Sequence, residues 1–249
     1  MTRFGIYFNQ IFLETRNNTL GLMAPEMNNP QLSYTRVKRP ENAAERYYSS
    51  LSQIYDLLAA SEKKFIRQGI ELLNPQKGEK ILEIGFGTGF AQLIIGQAVE
   101  DGLSAGLDLS VGMGKKAQKT IIKAGLVKRI GLIRSNTLPI PFSNGIFDGV
   151  FSSFTLELFD TPLIPAVLYE CRRVLKPGGR LVLVCLSKDQ PLPWIGRLYE
   201  RLHTRYPKWV DCRPIPVQSI VSEAIFRISL AQEATMWGLP VSILLAFRE

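Results

Sequence analysis

The chain has 249 residues, which suits a single core with additional segments better than two separate domains. Its net charge of +8 allows attraction to phosphate groups on nucleic acid or anionic lipid, and equally a basic surface that serves only solubility. Three cysteines without a Cys-x-x-Cys pair argue against a disulfide framework and a zinc site, and favour a reducing, cytoplasmic setting. Because the chain has no run of about 18 apolar residues and no clear signal peptide, we expect a soluble or peripherally attached protein.

Residues 1–40 differ in composition from the rest of the chain. Asparagine pairs and prolines punctuate a polar stretch with little periodicity, which predicts an irregular or flexible N-terminal extension. Its apolar segment Phe4–Leu13 is open to two interpretations: it docks on the domain, or it lies upstream of an alternative start at Met23 or Met27. The domain itself is predicted to span residues 41–249.

The domain opens with a helical pattern. From Glu41 onward, a set of apolar residues falls on one helical face. They are Tyr47, Leu51, Ile54, Tyr55 and Leu58. A second helix is predicted from Ser61 to Leu73, with Ser61 as its N-cap and Glu62 as an acidic residue in its first turn.

Strands and helices then alternate at the spacing of βαβ units, which predicts a mainly parallel sheet. The predicted parallel strands lie near residues 80–84, 103–107, 130–134, 146–152 and 180–186. At the C-terminus, Arg227–Trp237 and Val241–Phe247 are two strands joined by only Gly238, Leu239 and Pro240, so they must pair antiparallel. The predicted fold class is therefore α/β, with a Rossmann-like open sheet that carries an antiparallel C-terminal hairpin strand.

The most informative segment is a buried strand that runs into a glycine-rich turn. The strand ends on Glu83, and the turn spaces its glycines as Gly85, Gly87 and Gly89, where the backbone must turn tightly and approach a ligand. A dinucleotide fingerprint would need a small residue at the position of Phe90. The pattern Glu-x-Gly-x-Gly-x-Gly, followed about twenty residues later by an aspartate, predicts a nucleotide-type cofactor that lacks a pyrophosphate.

Further segments in the right order carry a family resemblance. They are Ile81–Gly89, Gly106–Ser110, Pro141–Asp148 and Leu175–Gly179. In these segments the chain resembles the class I S-adenosylmethionine-dependent methyltransferases, and more closely the quinone-biosynthesis group that methylates small molecules. The resemblance implies S-adenosyl-L-methionine as the cofactor and an open sheet finished by one reversed hairpin strand.

The resemblance also implies roles for residues at the ends of the strands. Asp108 would hold the ribose hydroxyls, because an ionised carboxylate is purely an acceptor; the alternative is a helix N-cap. Glu83 would order the methionine moiety, and Met113 would lie over the adenine or simply pack. Asn136 stands where the family commonly has an acidic residue, and its carbonyl oxygen can still accept from the adenine amino group. The complete predicted cofactor set is Glu83, Gly85, Phe86, Gly87, Gly89, Asp108, Leu109, Met113, Asn136, Thr137 and Ser153.

The strand predicted at 146–152 leads into residues 153–157, where the acceptor would meet the methyl group. Base-modifying N-methyltransferases carry a Pro-Pro-aromatic turn there, and no proline occurs between Pro141 and Pro162, which argues against nucleic acid as the partner. Much of the rate of methyl transfer comes from alignment, so a general base is needed only where the acceptor atom carries a proton. The candidate bases are Glu157, Asp160, Tyr47, Tyr48, Tyr55, Tyr199 and His203, the last with a surface or packing role as its alternative.

Trp194–Tyr206 predicts an amphipathic helix inside a helical cap insertion near residues 190–215. Its predicted apolar face comprises Trp194, Ile195, Leu198, Tyr199 and Leu202, and its polar positions are Arg197, Glu200, Arg201, His203 and Arg205. One interpretation is a cap helix packed on the domain. The other is a helix that closes the acceptor pocket or rests on an anionic membrane surface.

Together these features predict transfer of a methyl group from S-adenosyl-L-methionine to a small, lipophilic acceptor such as a quinone precursor. Two alternatives stay open: methylation of a phospholipid amine, and a non-catalytic cofactor-binding subunit. Methylation of arsenite through cysteines is disfavoured, because Cys171 and Cys185 fall in a predicted helix and a predicted core strand. No metal site is predicted, and the acceptor, the methylated atom and the oligomeric state stay open.

Overall fold

The computed structural model describes residues 12–14, 52–135, 138–205 and 212–249, with side chains from residue 60 onward. Several predictions therefore lie outside the described residues. They concern most of the N-terminal extension, the helical face that includes Tyr47, and the predicted cofactor contacts Asn136 and Thr137.

One mixed sheet organises the described part of the chain. Its strands are β1 (Phe12–Glu14), β2 (Lys80–Ile84), β3 (Leu103–Asp108), β4 (Ile130–Arg134), β5 (Phe147–Ser153), β6 (Leu175–Leu186), β7 (Phe226–Met236) and β8 (Leu239–Arg248). They lie in the order β1-β4-β3-β2-β5-β6-β8-β7, and β8 is antiparallel to both of its neighbours while the other pairs are parallel. The strand order changes direction between β2 and β5, which places the ligand crevice at the carboxyl ends of these strands. The predicted fold class is confirmed.

Helices cover both faces of this sheet. They are α1 (Ser52–Leu73), α2 (Phe90–Ala98), α3 (Val111–Lys123), α4 (Ile164–Val174), α5 (Trp194–Arg205) and α6 (Val217–Glu223). Helices α4 and α6 contribute to one apolar cluster and α1 and α2 to another, with alternate residues of β2 pointing into each. Gly69 lets α1 lie close to the sheet, since a β-carbon at this position would sit 2.6 Å from Val184.

Helix α1 corrects the prediction for the start of the domain. Residues 52–73 form one continuous helix, so Ser61 lies inside it and its predicted role as an N-cap is wrong. The residues directly before Ser61, Ala59 and Ala60, are strong helix formers. The helix that was predicted to begin at Ser61 is therefore continuous with the turns before it.

The C-terminal hairpin is tighter than predicted. Strand β8 begins at Leu239, so the turn consists of Trp237 and Gly238 rather than residues 238–240. Both turn residues have positive φ, 54° and 81°, which is the geometry that matches the twist of a two-residue hairpin. Strand β6 also begins earlier than predicted, because Leu175 already pairs with Phe147 before the Pro-Gly-Gly stretch. The antiparallel pairing of β7 with β8 is confirmed.

A short edge strand and a hydrogen-bonded loop base lie outside the central strands. Within the segment predicted as an extension, Phe12–Glu14 forms β1, which lies parallel to β4 at the edge of the sheet. After β6, the chain leaves the sheet, forms α5 and returns at Ile215. There the Ile215 N–H donates to the carbonyl of Leu186 at 3.1 Å, and its carbonyl accepts from the N–H of Lys188 at 2.9 Å. The two ends of the segment that carries α5 are therefore joined directly.

Candidate functional site

The carboxyl ends of β2 and β3 bring the glycine-rich turn against β3. The Gly85 N–H donates to the carbonyl of Leu107 at 2.7 Å, which ties the turn to the neighbouring strand. Gly85 has a φ of 77°, and a β-carbon there would lie 2.1 Å from Oγ1 of Thr155, so a side chain cannot be accommodated. The turn ends at Gly89, which precedes the first residue of α2.

Asp108, the last residue of β3, holds the turn from the other side. Its Oδ2 accepts from the Gly87 N–H and its Oδ1 from the Ser110 N–H, both at 2.8 Å. Burial raises the pKa of this carboxyl group above its ordinary value, and the backbone hydrogen bonds oppose that rise. The N-cap of α3 is Ser110, whose Oγ accepts from the Met113 N–H at 3.2 Å, so the alternative of a capping role for Asp108 is wrong.

Glu83 lies one strand away and is almost completely buried, with 2% of its surface exposed. Burial raises its pKa to about 8, hydrogen bonding from Gln92 lowers it, and the negative charge of Asp108 raises it. Its Oε2 has no hydrogen-bond partner among the described residues. A buried carboxylate oxygen without a donor is costly, and a positively charged ligand group would relieve that cost.

Gly87 marks open space at the tip of the turn. Its φ is 50°, and a β-carbon at this position would have no heavy atom within 4 Å among the described residues, apart from its chain neighbours. This opening adjoins Asp108 and lies on the same turn as Gly85. Gly87 and the carboxylates of Asp108 and Glu83 form a cradle in which Oε2 of Glu83 is unpaired among the described residues. This cradle fits a ligand with a hydroxylated sugar and an amino group.

The remaining predicted cofactor residues occupy different positions around this turn. Phe86 directs its ring into a core cluster with Ala117, so the turn offers a ligand only its backbone there. Met113 is buried in the first turn of α3, while Leu109 is partly exposed beside it. Ser153 is the last residue of β5, and its carbonyl accepts from Oγ1 of Thr155.

The side of the crevice where the acceptor was predicted follows β5. Glu157 is fully buried, its Oε1 accepts from the Leu186 N–H at 3.1 Å, and burial raises its pKa to about 7. The candidate base His203 is also buried, with 1% of its surface exposed, although its sequence position indicated the polar face of the helix. Asp160 instead caps a short turn by accepting from the Thr161 N–H.

Two buried polar residues beside the site were missed by sequence reasoning. Gln92 in α2 and Ser104 in β3 are both fully buried and are hydrogen-bonded to each other. Gln92 interrupts a helix whose other residues are largely apolar, and this interruption was the available signal. Thr155 fills the space left by the missing side chain of Gly85.

Helix α5 is rotated relative to the predicted apolar face. Ile195 and Tyr199 pack against the core, and His203 is buried with them, whereas Trp194 is 68% exposed. Leu198 and Leu202 share this exposure, alongside the exposed arginines Arg197, Arg201 and Arg205.

The hairpin turn meets the start of α5. A β-carbon on Gly238 would lie 2.8 Å from Cδ1 of Ile195, so Trp237, which is 54% exposed, lies near the end of α5 that carries Trp194. No helix in the described part of the chain is long and apolar enough to cross a membrane. The described residues also contain no cluster of three or more His, Cys, Asp or Glu side chains placed to hold a metal ion.

Comparison with known proteins identifies the family. Residues 81–179 match the model of a methyltransferase domain. A demethylmenaquinone methyltransferase from Geobacillus stearothermophilus is 32% identical over 211 residues, which cover 75% of this chain and 87% of that protein. The chain belongs to the class I S-adenosylmethionine-dependent methyltransferases of quinone-biosynthesis type. A demethylmenaquinone methyltransferase from Bacillus pumilus is 29% identical over 198 residues, covering 72% of this methyltransferase and 82% of the relative.

Solved structures agree with this assignment at the level of the fold. Geranyl diphosphate C-methyltransferase from Streptomyces coelicolor, crystallised with S-adenosyl-L-homocysteine, superposes with a TM-score of 0.60 at 13% identity, covering 76% of each chain. The predicted fold, the methyltransferase activity and S-adenosyl-L-methionine as the cofactor are confirmed.

Proposed function

We propose that this methyltransferase acts on a quinone precursor, a prenylated aromatic ring that lacks one methyl group. The cradle of Glu83, Gly87 and Asp108 at the switch point of the sheet supports binding of the methyl donor, and the choice of acceptor follows from the relatives. Relatives named demethylmenaquinone methyltransferases align with the chain over most of their own length, which supports a quinone-type acceptor.

Within this proposal, each residue of the cradle has one task. Asp108 accepts from the ribose hydroxyls, and the free Oε2 of Glu83 accepts from the amino group of the methionine moiety. Gly85, Gly87 and Gly89 form the floor, Met113 and Leu109 border the adenine, and Ser153 borders the methyl group. Phe86 contributes through its backbone, and Asn136 with Thr137 is proposed for the adenine edge.

S-adenosyl-L-methionine supplies an electrophilic methyl group on a sulfonium. The chain supplies position: β2 and β5 end side by side, so a ligand held by Glu83 is presented to an acceptor beyond Ser153. The rate of such an in-line displacement increases most through alignment of the reactants and exclusion of water. The displacement does not require a protein nucleophile. An apolar acceptor suits this arrangement because burial itself contributes to binding.

We expect the protein to release S-adenosylhomocysteine when it is supplied with a prenylated 1,4-naphthoquinol that lacks the ring methyl group, and the product to gain one methyl group by mass spectrometry. Asp108→Ala should lower this turnover about a hundredfold, because it removes a charged acceptor for two hydroxyls. Turnover of phosphatidylethanolamine instead would support phospholipid amine methylation. Cofactor binding without turnover of either acceptor would contradict both acceptor proposals.

We also infer peripheral contact with an anionic membrane. Helix α5 exposes Trp194, Leu198 and Leu202 beside three arginines, and Trp237 of the hairpin lies near its start. Indoles favour the membrane interface and arginines favour anionic headgroups, so this surface suits a bilayer that contains a lipophilic acceptor. We call it the α5 surface.

Replacing Arg197, Arg201 and Arg205 by Gln should weaken co-sedimentation with phosphatidylglycerol vesicles about a hundredfold, given about 1 kcal/mol for each basic residue near the surface. Added salt should reproduce the loss in the wild type. The matched control replaces the exposed Lys116, Lys119 and Lys123 of α3 by Gln, which removes the same charge elsewhere. Equal losses in both triple variants would show a general charge effect and contradict a docking role for α5.

A further inference from the structure

Gln92 is a fully buried amide in the first turns of α2, in a helix that otherwise packs through apolar residues. Its Oε1 accepts from the hydroxyl of Ser104 at 2.7 Å, and its Nε2 donates to the carbonyl of Ala105 at 3.2 Å. These two bonds determine the orientation of the Gln92 amide: its oxygen must face the donating hydroxyl, and its nitrogen must face the carbonyl.

The sheet leaves room for this amide at one position. Gly106 of β3 pairs directly with Glu83 of β2, and a β-carbon on Gly106 would lie 3.0 Å from Nε2 of Gln92. The amide nitrogen therefore lies over the strand pair that carries Glu83. With one of its hydrogens on Ala105, the nitrogen keeps a second hydrogen for the Glu83 carboxylate.

The effect on Glu83 follows from the charges around it. Burial disfavours the carboxylate, and so does the negative charge of Asp108 on β3. Hydrogen bonding from Gln92 is the interaction that favours the charged form. A Glu83 that is to pair with a cationic amino group must be ionised, so the amide acts on the step of cofactor binding.

We propose that Gln92, held in one orientation by Ser104, is a positioning residue that keeps Glu83 oriented and ionised for the amino group of the cofactor. The proposal rests on the proposed cofactor role of Glu83. It assigns the buried Gln92–Ser104 pair a task in ligand binding beyond the packing of α2 on β3.

The test measures S-adenosylhomocysteine affinity by calorimetry from pH 6 to pH 10. In the wild type, affinity should rise with pH up to about pH 8, because protonated Glu83 cannot pair with the amino group, and should fall again where the amino group of the ligand loses its own proton. In Gln92→Leu the rising part of the profile should move about one pH unit higher, which is a tenfold loss of affinity at neutral pH, while the falling part, set by the ligand, stays where it is. Ser104→Ala should shift the profile in the same direction by less.

Gln92→Leu leaves the buried Ser104 hydroxyl without an acceptor. The double variant Gln92→Leu/Ser104→Ala removes both polar partners and should therefore be less destabilised. It should show the same shifted profile as Gln92→Leu. A variant that melts earlier but keeps the wild-type pH profile would overturn the positioning role and leave the pair structural. A wild type that binds with no pH dependence would overturn the role of Glu83, and a wild type that binds no S-adenosylhomocysteine would overturn the cofactor site itself.

Discussion

Gly87→Val is expected to abolish the stabilisation of the protein by S-adenosylhomocysteine. The valine side chain would enter the open space over the turn, where the ligand is proposed to lie, and would force a β-branched residue to a φ of 50°. In the wild type the ligand should raise the melting temperature by mass action, with about 2.7 kcal/mol gained at a hundredfold excess over Kd. Differential scanning fluorimetry with and without ligand measures the difference.

Gly125→Val is the matched control for this prediction. Gly125 has a φ of 69°, and a β-carbon there also meets no heavy atom within 4 Å in the described part of the chain, but it lies between α3 and β4. Both valines carry the same backbone strain of about 1–2 kcal/mol, so both proteins should melt earlier than the wild type. Equal stabilisation of all three proteins by the ligand would remove the assignment of the site to this turn.

Arg213→Leu is expected to lower the free energy of unfolding by about 3 kcal/mol, because it leaves one buried and two partly buried acceptors without their donor. The Arg213 guanidinium is buried and donates to the carbonyls of Glu157 and Phe159 at 2.8 and 3.0 Å, and to Oγ1 of Thr161 at 2.9 Å. It therefore joins the chain after α5 to the turns that follow β5. Urea denaturation monitored by circular dichroism measures the change.

The control for Arg213 is Arg172→Leu. Arg172 also donates to two carbonyls, those of Ile225 and Glu249, but at the protein surface, where water can replace it. We expect a loss below about 1 kcal/mol for this variant. Similar losses for the two arginines would show that burial of the Arg213 hydrogen bonds adds nothing to stability.

Local sequence patterns predicted the elements whose geometry depends on neighbouring residues. Strands β2 and β4 begin and end where alternation and turn residues placed them, and the positive φ of Gly85 is a local reason for glycine in the turn. Asp108 could be selected by its distance along the chain from that turn. Each of these signals is contained in a short window, which is why one sequence was sufficient.

Features that depend on distant parts of the chain could not be predicted in this way. The contact of Arg213 with Thr161 spans 52 positions, and nothing near either residue announces it. His203 is buried although polar residues surround it in the sequence, and the contact of α5 with the hairpin turn joins residues more than 40 positions apart. Ser61 failed as a cap because helix propensity on both sides outweighed a single capping residue.

The two ends of the α5 segment meet at the edge of the sheet. Because Leu186, Lys188 and Ile215 are hydrogen-bonded to one another, the sheet is complete without regard to the length of the excursion between them. The exposed part of this segment can vary while the strands that carry Glu83 and Asp108 stay in register, as long as Arg213 and the buried side chains of α5 are kept. The α5 surface proposed for membrane contact can therefore change without moving the residues proposed to hold the methyl donor.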